Sequence, residues 1–90
     1  MPNSPNKLPV GNVTSLQVVR SAAELGQLVR EQRHGLHLRQ IDLAGIGNTG
    51  NRLIVDIEKG KPTVQLQKVL DVLDLLGLEL VVRQKTPRAP

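Results

Sequence analysis

The sequence predicts a mainly α-helical single domain with one short strand near its C-terminal end. Apolar residues recur at three- and four-residue spacing through 21–76, the period of helices with one buried face. Ser, Gly, Asn and Pro interrupt that pattern where helices start and stop. Only two stretches read as β: 78–83 (LELVVR), which alternates, and 15–20 (SLQVVR), which is short and β-branched.

Composition narrows the class. Ninety residues allow one small domain, which at this size often needs a partner subunit. Without Cys there is no disulfide, thiolate zinc site or Cys nucleophile. Without Phe, Tyr or Trp there is no stacking platform of the kind single-strand binders use, and the core must be aliphatic. Twelve Lys+Arg against eight Asp+Glu give a net charge of +4, a mild bias towards a polyanionic partner. No apolar run approaches the roughly 20 residues that span a bilayer. The first residues lack the apolar core of a secretory signal, so no membrane association and a cytoplasmic location are expected.

The Pro- and Asn-rich segment 1–14 reads as a flexible tail, 15–83 as the domain, and 84–90 as a second, basic tail. Ser21-Ala22-Ala23-Glu24 is a capping box: the Ser21 hydroxyl accepts from the Glu24 N–H and Glu24 reaches back to the Ser21 N–H. The first helix then runs over 22–33, with Leu25, Leu28, Val29 and Gln32 on one stripe, and stops at His34-Gly35. A second helix over 39–46 follows Leu38 and carries Ile41, Leu43 and Ala44. Gly47-Asn48-Thr49-Gly50 makes a tight turn, with Asn48 suited to the left-handed region. A third helix over 51–58 turns Ile54 and Ile57 inwards. Gly60 suits a left-handed cap and Pro62 bars continuation. Thr63 is placed to cap a fourth helix over 64–76, so apolar around its circumference that burial on more than one side is expected.

Two short helices joined by a tight Gly-containing turn, 39–46 and 51–58, are the spacing of a helix-turn-helix. In that arrangement the second helix enters the DNA major groove while the first braces it across the backbone. Gly50, Asn51, Arg52, Val55, Asp56 and Lys59 fall opposite Ile54 and Ile57. Asn51 has the fork to read adenine, and Arg52 reaches either guanine or a phosphate. For Asp56 two roles stand open, acceptance from a cytosine amine or an outward position without contact. His34 and His37 flank Gly35 and no Cys completes a metal set, and Ser4, Ser15 and Ser21 lack a nucleophile setting. No catalytic residue, metal, cofactor or enzyme activity is expected.

The spaced residues Leu25-Gly26, Val29-Arg30, Arg33, Leu38, Gln40, Leu43-Ala44, Ile54, Ile57-Glu58 and Gly60-Lys61 resemble the Cro/phage-repressor (Xre) helix-turn-helix family. The continuation through Pro62-Thr63-Val64, Val69-Leu70, Val72-Leu73 and Leu76-Gly77-Leu78 is similar to its HipB-like antitoxin branch. The resemblance implies a four-to-five-helix repressor-like fold whose C-terminal strand serves dimerisation. It implies a sequence-specific repressor that autoregulates its operon and restrains a HipA-like kinase toxin. The alternatives are a stand-alone regulator with no toxin, or an antitoxin acting chiefly by protein–protein binding. Residue by residue it places Gln40, Gly50, Asn51, Arg52 and Val55 at DNA and pairs Arg33 with Glu58 as a structural ion pair; Arg39, Asp56, Lys59 and Lys61 are further candidates for DNA contact beside them. The family usually has Thr or Ser where Arg39 stands, Ala-Gly-Val in place of Gly47-Asn48-Thr49, and a small polar residue in place of Gly50.

A lone strand and an all-aliphatic fourth helix leave apolar surface and an unpaired edge, which pairing with a second copy removes. A two-fold homodimer is therefore expected, with Leu78, Leu80 and Val82 at the interface. Its operator is then a palindrome in double-stranded DNA, with half-sites one helical turn, roughly 34–36 Å, apart.

Overall fold

The computed structural model describes residues 16–85 and contains four helices, α1 (Ala22–Gly35), α2 (Gln40–Ile46), α3 (Asn51–Lys59) and α4 (Leu66–Leu75). Helix α3 packs against both α1 and α2. Val29 of α1, Leu43 and Ala44 of α2, Ile54 and Ile57 of α3, and Val72, Leu73 and Leu76 in and just after α4 form one aliphatic core.

The start of α1 is fixed by Ser21, whose Oγ accepts from the Glu24 N–H at 3.1 Å. The Glu24 carboxylate reaches one residue further back than the capping box predicts, accepting from the Arg20 N–H at 2.7 Å. All four helices stop in the same way. A residue in the left-handed region (His37, Asn48, Gly60 or Gly77) is followed by an N–H that bonds five residues back. These bonds are Leu38 to Arg33, Thr49 to Ala44, Lys61 to Asp56 and Leu78 to Leu73. Asn48 and Gly60 take the left-handed conformation that the sequence predicts. Helix α1 instead runs through Gly35, and His37 makes the turn.

Helix α4 starts later than its pattern predicts. Residues 62–64 form turns, Gln65 is the N-cap without a side-chain bond, and Thr63 caps nothing. Val64 packs against the core instead. Val72, Leu73 and Leu76 are buried and Val69, Leu70 and Leu75 pack partly buried against the core, while Leu66 at the start of the helix stays exposed. Ile41 in α2 is likewise exposed.

Among the described residues there is no strand. The segment 78–85 is irregular chain, with Leu78 packed on the core and Leu80, Val81 and Val82 exposed. Residues 16–20 are irregular and exposed as well. A strand exists only through pairing, and among the described residues neither segment pairs with another stretch of backbone. The 1–14 tail and most of the 84–90 tail lie outside the described residues.

Two glycine contacts bring α1 against α3. A Cβ on Gly26 would collide with the backbone carbonyls of Ile57 and Glu58. A Cβ on Gly60 would sit 2.6 Å from Ala23 Cα. Gly45, by contrast, has open space where its side chain would be. Gly26→Ala is expected to cost about 1–3 kcal/mol, since backbone cannot yield to the clash, even against the gain of about 1 kcal/mol that Ala brings to a helix. Gly45→Ala should instead stabilise by up to about 1 kcal/mol. Thermal melts followed by far-UV circular dichroism measure both signs.

Candidate nucleic-acid interface

The turn between α2 and α3 is closed by Asn48 in the left-handed region, with the Thr49 N–H on the Ala44 carbonyl at 2.9 Å. Gly50 then supplies the N-cap of α3 in extended conformation, without a side-chain cap. Its φ of −76° suits any residue, and a Cβ there would meet open space. Asn51 and Arg52 follow on the exposed first turn of α3, and Asn51 makes no side-chain hydrogen bond among the described residues. Val55 and Asp56, expected on the open face, are half-buried. Lys59 and Lys61 are exposed beyond them.

What holds α3 in place is a buried ion pair. Arg33 Nε donates to Glu58 Oε2 at 2.6 Å and Arg33 Nη2 donates to Oε1 at 3.0 Å, a two-pronged contact with side chains only 7% and 5% exposed. Arg33 Nη1 donates to the Leu38 carbonyl at 2.8 Å, and Gln40 Nε2 donates to Glu58 Oε1 at 3.1 Å. The Arg33–Glu58 pair therefore gathers α1, the α1–α2 connection, the first residue of α2 and α3. Burying two charges costs several kcal/mol per ion, recovered only where the partners are complete. The Arg33–Glu58 pairing read from the sequence is present. Gln40 belongs to the same network, so its amide is already oriented at the helix start.

Arg39 lies at the N-cap of α2, where a guanidinium has no acceptor for the orphan N–H groups. Asp42 makes up part of the loss. Its Oδ2 accepts from the Arg39 N–H at 2.8 Å, and its two oxygens take the Arg39 guanidinium at 3.0 and 2.9 Å. The Arg39 side chain, and then its backbone N–H, hold the Asp42 carboxyl at about 2, below its ordinary 3.8. A carboxylate in the first turn also suits the helix dipole. The folded value is the lower one, so the contribution is full above about pH 4 and is lost as pH falls towards 2. A melting-temperature profile should therefore decline over that window, and Asp42→Asn should flatten that part of the decline.

Arg52, Asp56 and Lys61 form a second cluster. Arg52 Nε donates to Asp56 Oδ1 at 3.1 Å, and Lys61 Nζ lies 3.6 Å from Asp56 Oδ2. Three polar roles escaped the sequence reading. Asp42 as a cap is one. Gln32 is another: it is buried and donates through Nε2 to the Leu76 carbonyl at 2.9 Å, tying α1 to the end of α4. Its signal was present, a polar residue on the apolar stripe of α1. The third is the anchoring of Asp56, for which the i,i+4 spacing from Arg52 on one helix was the signal.

The chain is 48% identical over 62 residues to the uncharacterized HTH-type transcriptional regulator y4mF of Sinorhizobium fredii (strain NBRC 101917 / NGR234), covering 69% of this chain and 82% of that regulator. The chain belongs to the HTH-type transcriptional regulators. Its fold is that of HipB, in keeping with the HipB-like Xre resemblance carried by its motif. A single-residue variant of HipB in complex with the O2 20mer matches with a TM-score of 0.74 at 19% identity, over 80% of this chain and 100% of that one. A chain of the HipA–HipB–O2–O3 complex matches at 0.73 and 18%, over 79% and 100%. The restriction-modification controller protein C.AhdI from Aeromonas hydrophila matches at 0.58 and 28%, over 64% and 88%. No protein-family model matches. No helix of this HTH regulator, among the described residues, is long and apolar enough to cross a membrane.

Glu58→Ala should cost about 3–5 kcal/mol, because it strands a buried Arg33. For a domain whose whole stability is about 5–15 kcal/mol, that approaches unfolding. A mutant with unchanged melting temperature would remove the structural role given to this pair.

Proposed function

We propose that this chain is a homodimeric, sequence-specific repressor that binds a palindromic operator in its own promoter and, as an antitoxin, restrains a kinase toxin of the HipA type. The observation that carries the reading is the exposed first turn of α3, Asn51 and Arg52, held out from a scaffold that superimposes over the full length of HipB. Solved complexes of that neighbour contain operator DNA, and one contains HipA. In this reading Asn51, Arg52 and Val55 meet base edges, and Gly50 lets the backbone close on the groove. Arg39, Gln40, Lys59 and Lys61 meet phosphates, and the protein works in the cytoplasm. In this reading the domain is 15–83.

Dimerisation rests on the C-terminal segment. Leu80 and Val82 are 52% and 89% exposed on irregular chain. An antiparallel pair of such segments across a two-fold axis would supply both the missing strand partner and a cover for Leu78, Leu80 and Val82. The likeness to C.AhdI, at higher identity than HipB, supports the second reading, a stand-alone regulator with no toxin.

Leu80→Asp should give monomers by light scattering and weak operator binding, because each half-site supplies only part of the contact energy. A dimer that survives the change would move the interface to α4. Crosslinking the tagged protein in its own cells and sequencing what is recovered tests the rest. The expected result is its own promoter, with half-sites one turn apart, together with a kinase-like protein encoded beside it. Promoter alone favours the stand-alone regulator. The kinase alone favours an antitoxin acting through protein contact.

A further inference from the structure

Asp56 is an acidic group on the face that meets DNA in the reading above, where it would repel phosphate. Its surroundings give it a different task. Its side chain is only 18% exposed, against 82% for Arg52 one turn earlier on α3. Both carboxylate oxygens are engaged, Oδ1 by Arg52 Nε at 3.1 Å and Oδ2 by Lys61 Nζ at 3.6 Å. Lys61 is itself fixed to the same residue, since its backbone N–H donates to the Asp56 carbonyl at 3.0 Å across the left-handed Gly60. The carboxylate is thus clamped from its C-terminal side and neutralised by Lys61. Two cations stand over one anion, leaving the cluster net positive.

Stability does not account for this arrangement. An ion pair whose arginine is this exposed adds little to folding. What it does is choose which edge of the guanidinium remains available. Arginine carries five N–H donors in a planar fork. Asp56 takes Nε, and Nη1 and Nη2 make no hydrogen bond among the described residues. Those two nitrogens form the end-on edge whose parallel donors match guanine O6 and N7. An unbraced arginine on the same helix would spread over phosphates and bases alike.

We propose that Asp56 is a positioning residue for base readout: it touches no base, and it holds Arg52 with its terminal edge presented to a guanine. The proposal rests on the DNA-binding reading above and deepens it. It gives Asp56 a task other than contact with a cytosine amine: Oδ1 is taken by Arg52, Oδ2 faces Lys61, and the side chain is only 18% exposed.

The test is selection from random duplexes by the full chain, followed by fluorescence anisotropy on the selected site and its single-base variants. The wild type is expected to demand guanine at one position of each half-site. Arg52→Lys, which keeps the charge but not the fork, should lose that discrimination by about 5- to 150-fold, the range of one bidentate contact. Asp56→Ala should lose most of the same discrimination at the same position. Its affinity for unrelated DNA should be equal or higher, since a negative charge has gone. Asp56→Asn, which keeps an acceptor oxygen, should lose less. Adding Asp56→Ala to Arg52→Ala should change the preference at that position no further.

Asp56 variants that keep the wild-type preference would overturn the proposal. So would a loss that falls equally on all sequences with a lowered melting temperature, the mark of a structural role. A changed preference at a cytosine that Arg52→Ala leaves untouched would return Asp56 to direct readout. A wild-type chain that selects no site would remove the DNA-binding reading itself, and this proposal with it.

Discussion

The Glu58 carboxylate is the point on which the domain turns. It accepts from Arg33 on α1 through two nitrogens and from Gln40 at the start of α2, while sitting on α3 itself. A buried charge tolerates no incomplete shell, so satisfying it fixes three helices at once. The glycine contacts reinforce the constraint. Gly26 lets α1 rest on the backbone at the end of α3, and Gly60 lets Ala23 approach the turn that follows. With its C-terminal half held in this way, α3 has one end free to project. That end carries Gly50, Asn51 and Arg52. Presentation of the recognition face is therefore a consequence of packing on the opposite face, not of the short helix's own propensity.

The acids near the proposed interface follow a common pattern. Asp42 braces Arg39, and Asp56 braces Arg52, each through the guanidinium. Each arginine keeps its charge while losing conformational freedom before any partner arrives, which lowers the ordering cost of binding. In the proposed DNA-binding role a mild net charge of +4 goes with positive groups that are placed rather than massed.

Much of this was legible in the residues. The Ser21 cap, the inward Ile54 and Ile57, the left-handed Asn48 and Gly60, and the Arg33–Glu58 pair all follow from local rules or from a spaced motif. Element ends were read less well, because caps compete locally. Helix α1 includes Gly35 and turns at His37, and α4 is not capped by Thr63. The expected strand at 78–83 is absent for another reason: a strand requires a backbone partner, and the described residues supply none. Asp56 was ambiguous for a different reason: its role depends on where Arg52 and Lys61 point, and spacing places residues on a face without saying which atoms meet.

The central claim is that a complete, buried shell around Glu58 locks α3 in place, and side-chain hydrogen exchange in the unmodified protein tests it most directly. NMR can follow the Nε–H of each arginine at neutral pH. The account predicts that the Arg33 Nε–H, bonded to Glu58 and shielded, exchanges far more slowly than that of the exposed Arg52. Its protection should also match that of the most stable amides in α3. An Arg33 Nε–H that exchanges as fast as Arg52's would show that the shell opens freely and that α3 is held by something else.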